Sequence, residues 1–209
     1  MLDNLRPIDN KKVIGRGTWY DKAADELIKR EKKLKRDLTK MRTEIGLGAS
    51  GYPHIGSIGD ALRNYGIALA LQVRGYESEY IAFADDKDGL RKIPAGMPKE
   101  LDQYLGFSVA QIPDLFGDCH FSFGEHMSSL LKEALDANGV VYTPMSAYQT
   151  YKDGLLNDQI IKILDNKEKV GRIIERVTGQ EKYLDNLPYF VVCEEGGKLY
   201  TTYAHAYNP

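Results

Sequence analysis

A glycine-rich loop between a predicted strand and a predicted long helix constrains the fold of this chain more than any other feature. The loop covers residues 46–57, and Gly48 and Gly51 would let a ligand approach the backbone closely. At the N-terminus of the following helix the N–H groups lack intrahelical partners and the helix dipole is positive. His54 and Ser57 add side-chain hydrogen-bond donors. The loop therefore predicts a site for phosphate or a nucleotide.

The elements around this loop predict a βαβ unit. Residues 41–48 read as a strand, and residues 55–74 have apolar side chains at helical spacing, with Gly75 as the stop. A second strand includes residues 80–83. Such a unit has parallel strands and a right-handed crossover, and ligands bind beyond the carboxyl ends of its strands. We predict an α/β fold with a Rossmann-like parallel sheet.

A dinucleotide-binding fingerprint is one alternative for the loop, because Gly46, Gly48 and Gly51 fit G-x-G-x-x-G. That motif alone is weak evidence. In the dinucleotide fold the helix already runs at the third glycine, whereas Pro53 follows Gly51 here. Proline lacks an N–H donor and crowds the preceding turn, so a helix that begins at or just after Pro53 is favoured.

The rest of the chain predicts two parts. The pattern indicates helices over residues 19–38, 99–105 and 122–138, a third strand over residues 140–143, mostly helix over residues 146–183, and a β-hairpin over residues 189–203. We predict a catalytic core over residues 1–145. Residues 146–209 would form a helical insertion followed by the C-terminal β-hairpin.

Composition excludes several classes of protein. The chain has 209 residues, of which 43% are hydrophobic and 28% charged, with a net charge of −2. These values are typical of a soluble globular protein. No apolar run approaches the ~20 residues that a membrane span needs, and the N-terminus has no apolar signal core. Two cysteines cannot make a disulfide framework, so we expect a cytoplasmic protein that does not act at a membrane.

A local concentration of positive charge departs from this balance. Residues 29–42 contain eight basic residues against two acidic ones, an excess of six. One interpretation is a surface that meets the phosphates of a nucleic acid. The other is an ordinary solvated helix face, and charge alone favours this second interpretation.

Four ordered blocks carry a family resemblance. Pro53-His54-Ile55-Gly56, with Ser57 after it, resembles the HIGH signature of class I aminoacyl-tRNA synthetases. More specifically, residues 44–56, 83–94, 112–114 and 124–126 together resemble class I lysyl-tRNA synthetases. The resemblance runs from about residue 13 to about residue 203 and covers the N-terminal part of the family's longer enzyme. It implies a HUP-type, class I synthetase fold.

The resemblance implies an ATP site on the glycine loop, with Mg²⁺ accompanying the ATP. His54 and Ser57 would be the catalytic residues, His54 donating to the phosphates as charge moves onto the leaving group. The implied ATP-binding residues are Ser50, Gly51, Pro53, His54, Gly56 and Ser57.

The same resemblance implies a lysine site. Gly46 and Gly48 match positions that hold the aminoacyl end, and His126 belongs to the matching Glu-His pair. Asp85, Asp86 and Asp88 have three readings: they receive the ammonium of lysine, hold a metal with the nucleotide, or cap a turn. Aspartates are common in turns, so spacing alone favours the structural role and the resemblance favours the active site.

Metal binding is not expected from the spacing of potential ligands. Cys119, His120, Glu125 and His126 match no zinc signature, and Ser122-x-x-Glu125 reads instead as a capping box. Relatives often carry a C-x-x-C zinc knuckle at the predicted hairpin, but Gly196 stands here three residues after Cys193. One thiolate cannot make a closed four-ligand site. We predict no zinc and a partly buried Cys193 thiol.

The resemblance implies a lysine–tRNA ligase that activates lysine with ATP and transfers it to tRNA(Lys). No K-M-S-K-S-like loop and no anticodon-binding part occur before Pro209, so we expect an N-terminal fragment that is inactive alone, for which a separate C-terminal half is a further expected partner. One alternative is a nucleotidylyltransferase of the same superfamily, which would explain His54 but not residues 85–94. Another is a truncated paralogue that binds tRNA or a partner chain.

Overall fold

A computed structural model of the chain describes residues 17–117 and 119–208. By contacts the chain divides into two compact units. The first unit comprises the described residues within Met1–Gly48, Tyr52–Ala84 and Met127–Met145. The second comprises those within Ala49–Gly51, Asp85–His126 and Ser146–Pro209. The domain boundary after residue 145 stays a prediction.

The first unit is built on a βαβ arrangement, as the periodicity predicts. Strand β1 (Lys40–Leu47) pairs in parallel with β2 (Glu77–Ala84), in register from Lys40 opposite Glu77 to Leu47 opposite Ala84. Helix α2 (Ile55–Val73) connects them, and β3 (Thr143–Ser146) is next to β2 in the order β1-β2-β3. The α/β, Rossmann-like class is thereby confirmed.

Two further helices belong wholly or partly to this unit. Helix α1 (Trp19–Lys33) packs on α2, with Ala24 and Leu71 fully buried in a cluster beside β1. Helix α3 (Phe123–Ala137) supplies Leu131 and Leu135 to the main core under the sheet. Helix α1 is shorter than the predicted residues 19–38, because its capping residues follow directly after Lys33.

The second unit contains short helices and loops. Two 3₁₀ segments, Lys99–Tyr104 and Val109–Gln111, precede four helices: α4 (Ala147–Lys152), α5 (Asn157–Asp165), α6 (Lys167–Thr178) and α7 (Lys182–Asp185). The predicted helical character of residues 146–183 is confirmed. Helices α6 and α7 approach so closely at Gly171 that a Cβ there would lie 2.2 Å from the Tyr183 carbonyl oxygen.

The third strand begins later than predicted. Helix α3 ends with a turn in which Gly139 has a φ of +68° and the Val140 N–H donates to the Leu135 carbonyl at 3.0 Å. Val140 is thus held by the helix end and buried in the core. Its N–H cannot join the ladder, so the strand starts at Thr143 instead of residue 140.

The prediction of β-strands on both sides of the C-terminal turn is wrong. The Cys193 N–H donates to the Lys198 carbonyl at 2.9 Å and the Gly197 N–H to Cys193 at 2.8 Å, which makes a turn. Beyond this turn the Leu199 N–H donates to the Gly106 carbonyl at 2.7 Å, and the Leu187 N–H donates to Ala204. The Cys193–Lys198 and Leu187–Ala204 bonds join the two segments in one antiparallel register, but the Leu199 N–H bonds outside this pair, and no strand is assigned on either side of the turn.

None of the helices within the described residues combines the length and the apolar character that crossing a membrane requires.

Candidate active site

The N-terminus of α2 is organised by His54. His54 is the N-cap residue, and its Nδ1 accepts a hydrogen bond from the Gly56 N–H at 3.1 Å. The Ser57 hydroxyl accepts from the His54 N–H at 3.4 Å, which completes a reciprocal cap. In neutral His54 an accepting Nδ1 leaves the proton on Nε2. The exposed ring therefore presents an N–H donor at the positive end of the helix dipole.

Gly56 is required by this cap. A Cβ on Gly56 would lie 2.8 Å from the His54 ring, so any larger residue would displace the histidine. The helix begins at Ile55, after Pro53, and this start agrees with the HIGH-type interpretation instead of the dinucleotide fingerprint, in which Gly51 would be helical.

The loop glycines differ in what surrounds them. A Cβ on Gly48 would meet nothing within 4 Å, so packing does not explain this glycine. Gly51 belongs to the second unit, where an added Cβ would lie 3.2 Å from the Pro94 ring. Gly46, Gly48 and Ser50 are exposed, and Pro53 and Ser57 are half-buried. The ATP-binding and aminoacyl-binding roles of these residues stay predictions.

The three aspartates of the turn after β2 lie in different environments. Asp86 is buried, with 7% of its surface exposed, whereas Asp88 is exposed and Asp85 is intermediate. The Asp86 carboxylate accepts hydrogen bonds from the Ser146 hydroxyl at 2.6 Å and from the Tyr148 N–H at 2.8 Å. Asp86 thus joins the turn to the start of α4. Its predicted role in lysine binding stays untested.

The backbone of the turn is held by the segment that follows it. The Asp86 carbonyl accepts from the Ser108 hydroxyl at 2.8 Å and from the Ala110 N–H at 2.9 Å. The Tyr200 hydroxyl accepts from the Gly89 N–H at 3.2 Å, and the Arg91 guanidinium lies 4.6 Å from the Tyr200 ring centroid. The aspartate turn is therefore fixed within the second unit by residues far away in sequence.

A compact group of potential metal ligands also lies in the second unit, consisting of Asp114, Cys119, His120 and His126. Their ligand atoms all lie within 4.8 Å of one another. Cys119 Sγ is 3.4 Å from Asp114 Oδ2, 3.1 Å from His120 Nδ1 and 3.5 Å from His126 Nδ1.

The remaining distances complete a tetrahedron. His126 Nδ1 is 3.0 Å from Asp114 Oδ2 and 3.2 Å from His120 Nδ1, and His120 Nδ1 is 3.7 Å from the same Asp114 oxygen. A tetrahedral zinc site with bonds of about 2.0–2.3 Å has edges of roughly 3.3–3.8 Å. Three of the six distances lie in this range and three are 0.1–0.3 Å shorter, so small shifts would bring the four side chains to the geometry of a zinc site.

The Asp114 side chain is only 3% exposed, yet its surroundings favour the ionised carboxylate. Burial acts to raise its pKa, but the Phe116 N–H, His126 and Cys119 outweigh burial, so the pKa lies below its usual range. An ionised carboxylate is the form that coordinates a cation.

The capping box that the sequence predicts at α3 is present in slightly altered form. The Ser122 hydroxyl accepts from the Glu125 N–H at 3.1 Å, and the Glu125 carboxylate accepts from the Phe121 N–H at 3.0 Å. This cap sets the start of α3 and so presents His126 to the ligand group. The amino-acid-binding role of His126 stays a prediction.

The Cys193 thiol is half-buried, as predicted. Hydrogen bonds from the Gly196 and Glu195 backbone lower its pKa below the usual value. Nothing in this geometry tests the predicted absence of zinc at Cys193.

Sequence analysis missed the partners of these residues. Asp114 is predicted only as part of a block in the family resemblance, and Ser146, Tyr148 and Tyr200 are not singled out at all. Asp114 precedes Cys119 by five residues, which is no established zinc spacing, and the partners of Asp86 are 60 and 62 residues away. A Cys-His pair with a second histidine six residues later was the available signal.

The chain is similar to known proteins over nearly its whole length. The family described as tRNA synthetases class I (K) matches residues 17–208. A lysine–tRNA ligase of Cenarchaeum symbiosum is 52% identical over 189 residues, which are 90% of this chain and 36% of that protein. A lysine–tRNA ligase of Methanocaldococcus jannaschii is 36% identical over 183 residues, 88% of this chain and 33% of that protein.

The chain thus spans about a third of the length of the curated relatives that it matches. The match nevertheless covers nearly all of the described residues, including the capped start of α2, the aspartate turn and the four-ligand group. On this similarity the chain belongs to the class I tRNA synthetases of the lysine (K) type.

Proposed function

We propose that this chain forms the lysine-activating part of a lysine–tRNA ligase. In the first step a lysine carboxylate oxygen attacks the α-phosphorus of ATP, forming lysyl-adenylate and releasing pyrophosphate. In the second step the lysyl group passes to a hydroxyl at the 3′ end of tRNA(Lys), releasing AMP. The observation that carries the proposal is the His54 ring, held as the N-cap of α2 with its Nε2–H exposed.

The start of α2 would act on the nucleotide by charge stabilisation and positioning. The exposed His54 Nε2–H and the helix N-terminus are aligned before ATP binds, so they need little reorganisation as charge develops on the phosphates. Adenylate formation requires alignment of two substrates more than a covalent catalyst. Mg²⁺ bound with ATP would neutralise phosphate charge.

The aspartate turn is the best candidate for binding the lysine ammonium. Asp86 already accepts two hydrogen bonds from Ser146 and Tyr148, so we assign it to holding the turn in shape. Asp85 and Asp88 then remain the candidates for contact with the substrate. Asp88 is the exposed member of the three.

Thermal unfolding with a non-hydrolysable lysyl-adenylate analogue tests the proposal. A ligand at about a hundred times its Kd stabilises by ~2.7 kcal/mol, which for a chain of this size raises the unfolding midpoint by several degrees. His54→Asn keeps a good N-cap residue but removes the ring donor, so we expect normal stability without the ligand-induced shift. His205→Asn, an exposed site elsewhere, is the matched control.

The results separate the alternatives. A glutamyl-adenylate analogue with an equal shift would contradict lysine specificity. A shift with ATP but with neither adenylate analogue would favour a nucleotidylyltransferase. No shift with any of these ligands would contradict an activation site in this chain and would favour a tRNA- or partner-binding module.

We further propose that Asp114, Cys119, His120 and His126 bind one structural zinc ion. The proposal rests on the near-tetrahedral distances among their ligand atoms. When bound, zinc would cross-link the loop before α3 to the first turn of that helix. The four protein ligands would fill its coordination, as in structural sites.

Native mass spectrometry of the purified chain tests the zinc proposal. We expect one zinc per chain, its loss in Cys119→Ser, and its retention in Cys193→Ser, which alters the other cysteine. A metal-free wild-type chain, or equal loss in both variants, would contradict the proposal.

A further inference from the structure

The end of α1 and the turn after it expose an unusual concentration of positive charge. Six basic side chains fall within residues 29–36, and all six are exposed. We call these the basic patch: Lys29, Arg30, Lys32, Lys33, Lys35 and Arg36. Glu31 is the one acidic residue in the segment, and it pairs with both Arg30 at 3.5 Å and Arg36 at 3.1 Å.

The four lysines of the patch are not neutralised by neighbouring carboxylates. Within residues 17–117 and 119–208, no carboxylate oxygen lies within 4.0 Å of the ammonium groups of Lys29, Lys32, Lys33 or Lys35. Lys29 and Lys33 are four residues apart on the helix and Lys32 is three from Lys29, so all three share a face. Like charges at this spacing destabilise a helix, which means that the arrangement has a cost in the isolated protein.

Lys35 is a second indication that positive charge is kept in this segment, because it occupies a backbone position that favours glycine. The Arg36 N–H donates to the Glu31 carbonyl and the Lys35 N–H to Lys32, a pattern that ends a helix with one left-handed residue. That residue is Lys35, with a φ of +53°. Glycine usually occupies this position, because a side chain there is strained.

The position of the patch excludes a role at the glycine loop. The patch precedes Lys40, the first residue of β1, and the Lys32 ammonium lies 6.0 Å from the ring centroid of Tyr76, which comes just before β2. The patch is therefore at the amino edge of the sheet. His54 follows the opposite end of β1, an eight-residue strand that is about 23 Å long from its first Cα to its last.

We propose that the basic patch is a docking surface for the phosphate backbone of the tRNA, away from the 3′ end that undergoes reaction. This inference rests on the proposed function, since it extends the contact with the same RNA. The patch offers six exposed cations to the backbone of such an RNA, which carries one negative charge per phosphate. The contact is to phosphates and carries no sequence information of its own.

Binding of a labelled tRNA(Lys) transcript to the 209-residue chain, measured against salt concentration, tests the patch. We expect Lys29→Gln/Lys32→Gln/Lys33→Gln to weaken binding at least about tenfold near 0.1 M salt and to lower the slope of log K against log salt by about 2–3. The control Lys22→Gln/Lys99→Gln/Lys152→Gln removes the same charge from three exposed sites and should bind like the wild type.

Lys35→Gly gives a second test that separates binding from folding. Glycine relieves the strain at a φ of +53°, so we expect the midpoint of thermal unfolding to rise by about 2–4 °C while tRNA affinity falls several-fold. A purely structural role, in which the cations offset the negative end of the helix dipole, predicts no change in affinity.

The outcomes distinguish the two levels of proposal. Equal tRNA binding by the wild type and the triple variant overturns the patch and leaves the proposed function standing. A wild-type chain that binds the lysyl-adenylate analogue but no tRNA overturns the patch and tRNA binding by this chain, while lysine activation stands. If the control triple variant weakens tRNA binding equally, the effect comes from the overall charge of the protein, which also overturns the patch.

Discussion

At the scale of single residues, the aspartate turn shows that neighbouring side chains of one type have different tasks. Asp86 is buried and accepts two hydrogen bonds, whereas Asp88, two residues later, is exposed. Spacing alone left three roles open for all three aspartates. The structure separates them, because burial and hydrogen-bond partners identify Asp86 as the residue that shapes the turn.

This separation predicts different effects of two similar substitutions. Asp86→Ala removes an acceptor from the Ser146 hydroxyl and the Tyr148 N–H, and hydrogen bonds to a charged group contribute about 1.5–3 kcal/mol each. We expect urea unfolding to show a loss of about 2–4 kcal/mol. Asp88→Ala, at an exposed position, should change the free energy of unfolding by less than about 0.5 kcal/mol. Equal losses in the two variants would contradict the assignment.

At the scale of secondary-structure elements, Glu79 connects the three strands of the sheet. Its carboxylate accepts from the Thr143 hydroxyl of β3 at 2.7 Å and pairs with Lys40 and Arg42 of β1, both at 3.0 Å. The hydrogen bond from Thr143 is the largest cause of the change in its pKa, and the two cations add to it. Together they lower the pKa of Glu79 to about 2.

The lowered pKa predicts a pH dependence. Because the folded-state pKa lies below the unfolded value of about 4.3, the contribution of Glu79 is complete above that value and is lost as the pH falls toward 2. The shift corresponds to at most about 3 kcal/mol, which solvent screening reduces to about 1–2 kcal/mol. The free energy of unfolding should therefore differ less between pH 7 and pH 3 in Glu79→Gln than in the wild type.

Glu133→Gln, at an exposed position on α3, provides the control for this comparison. It should keep the pH dependence of the wild type. If Glu79→Gln also kept the full dependence, another carboxylate would be responsible.

At the scale of the whole molecule, the net charge conceals a local concentration of positive charge. The net charge of −2 gives no sign of a nucleic-acid partner, yet residues 29–36 expose six cations. The chain also spans about a third of the length of its relatives. The capped helix start, the ligand group and the basic patch are nevertheless defined within its two units.

The sequence by itself determined the features that depend on neighbouring residues. The βαβ unit follows from periods of two and 3.6, and β2 contains the predicted residues 80–83. The start of α2 follows from Pro53 and the His54 cap, which act within three residues. The HIGH-type loop and the family were readable for the same reason, since their motifs are short and continuous.

Only the tertiary structure decided which distant groups become partners. Asp114 joins Cys119 and two histidines, Asp86 bonds to residues 60 and 62 positions away, and the Leu199 N–H bonds to Gly106 instead of to a hairpin strand. A buried polar group must find a partner, but its choice depends on how the chain closes and not on spacing. The grouping of these four potential ligands and the missing hairpin strands were therefore beyond prediction from sequence periodicity.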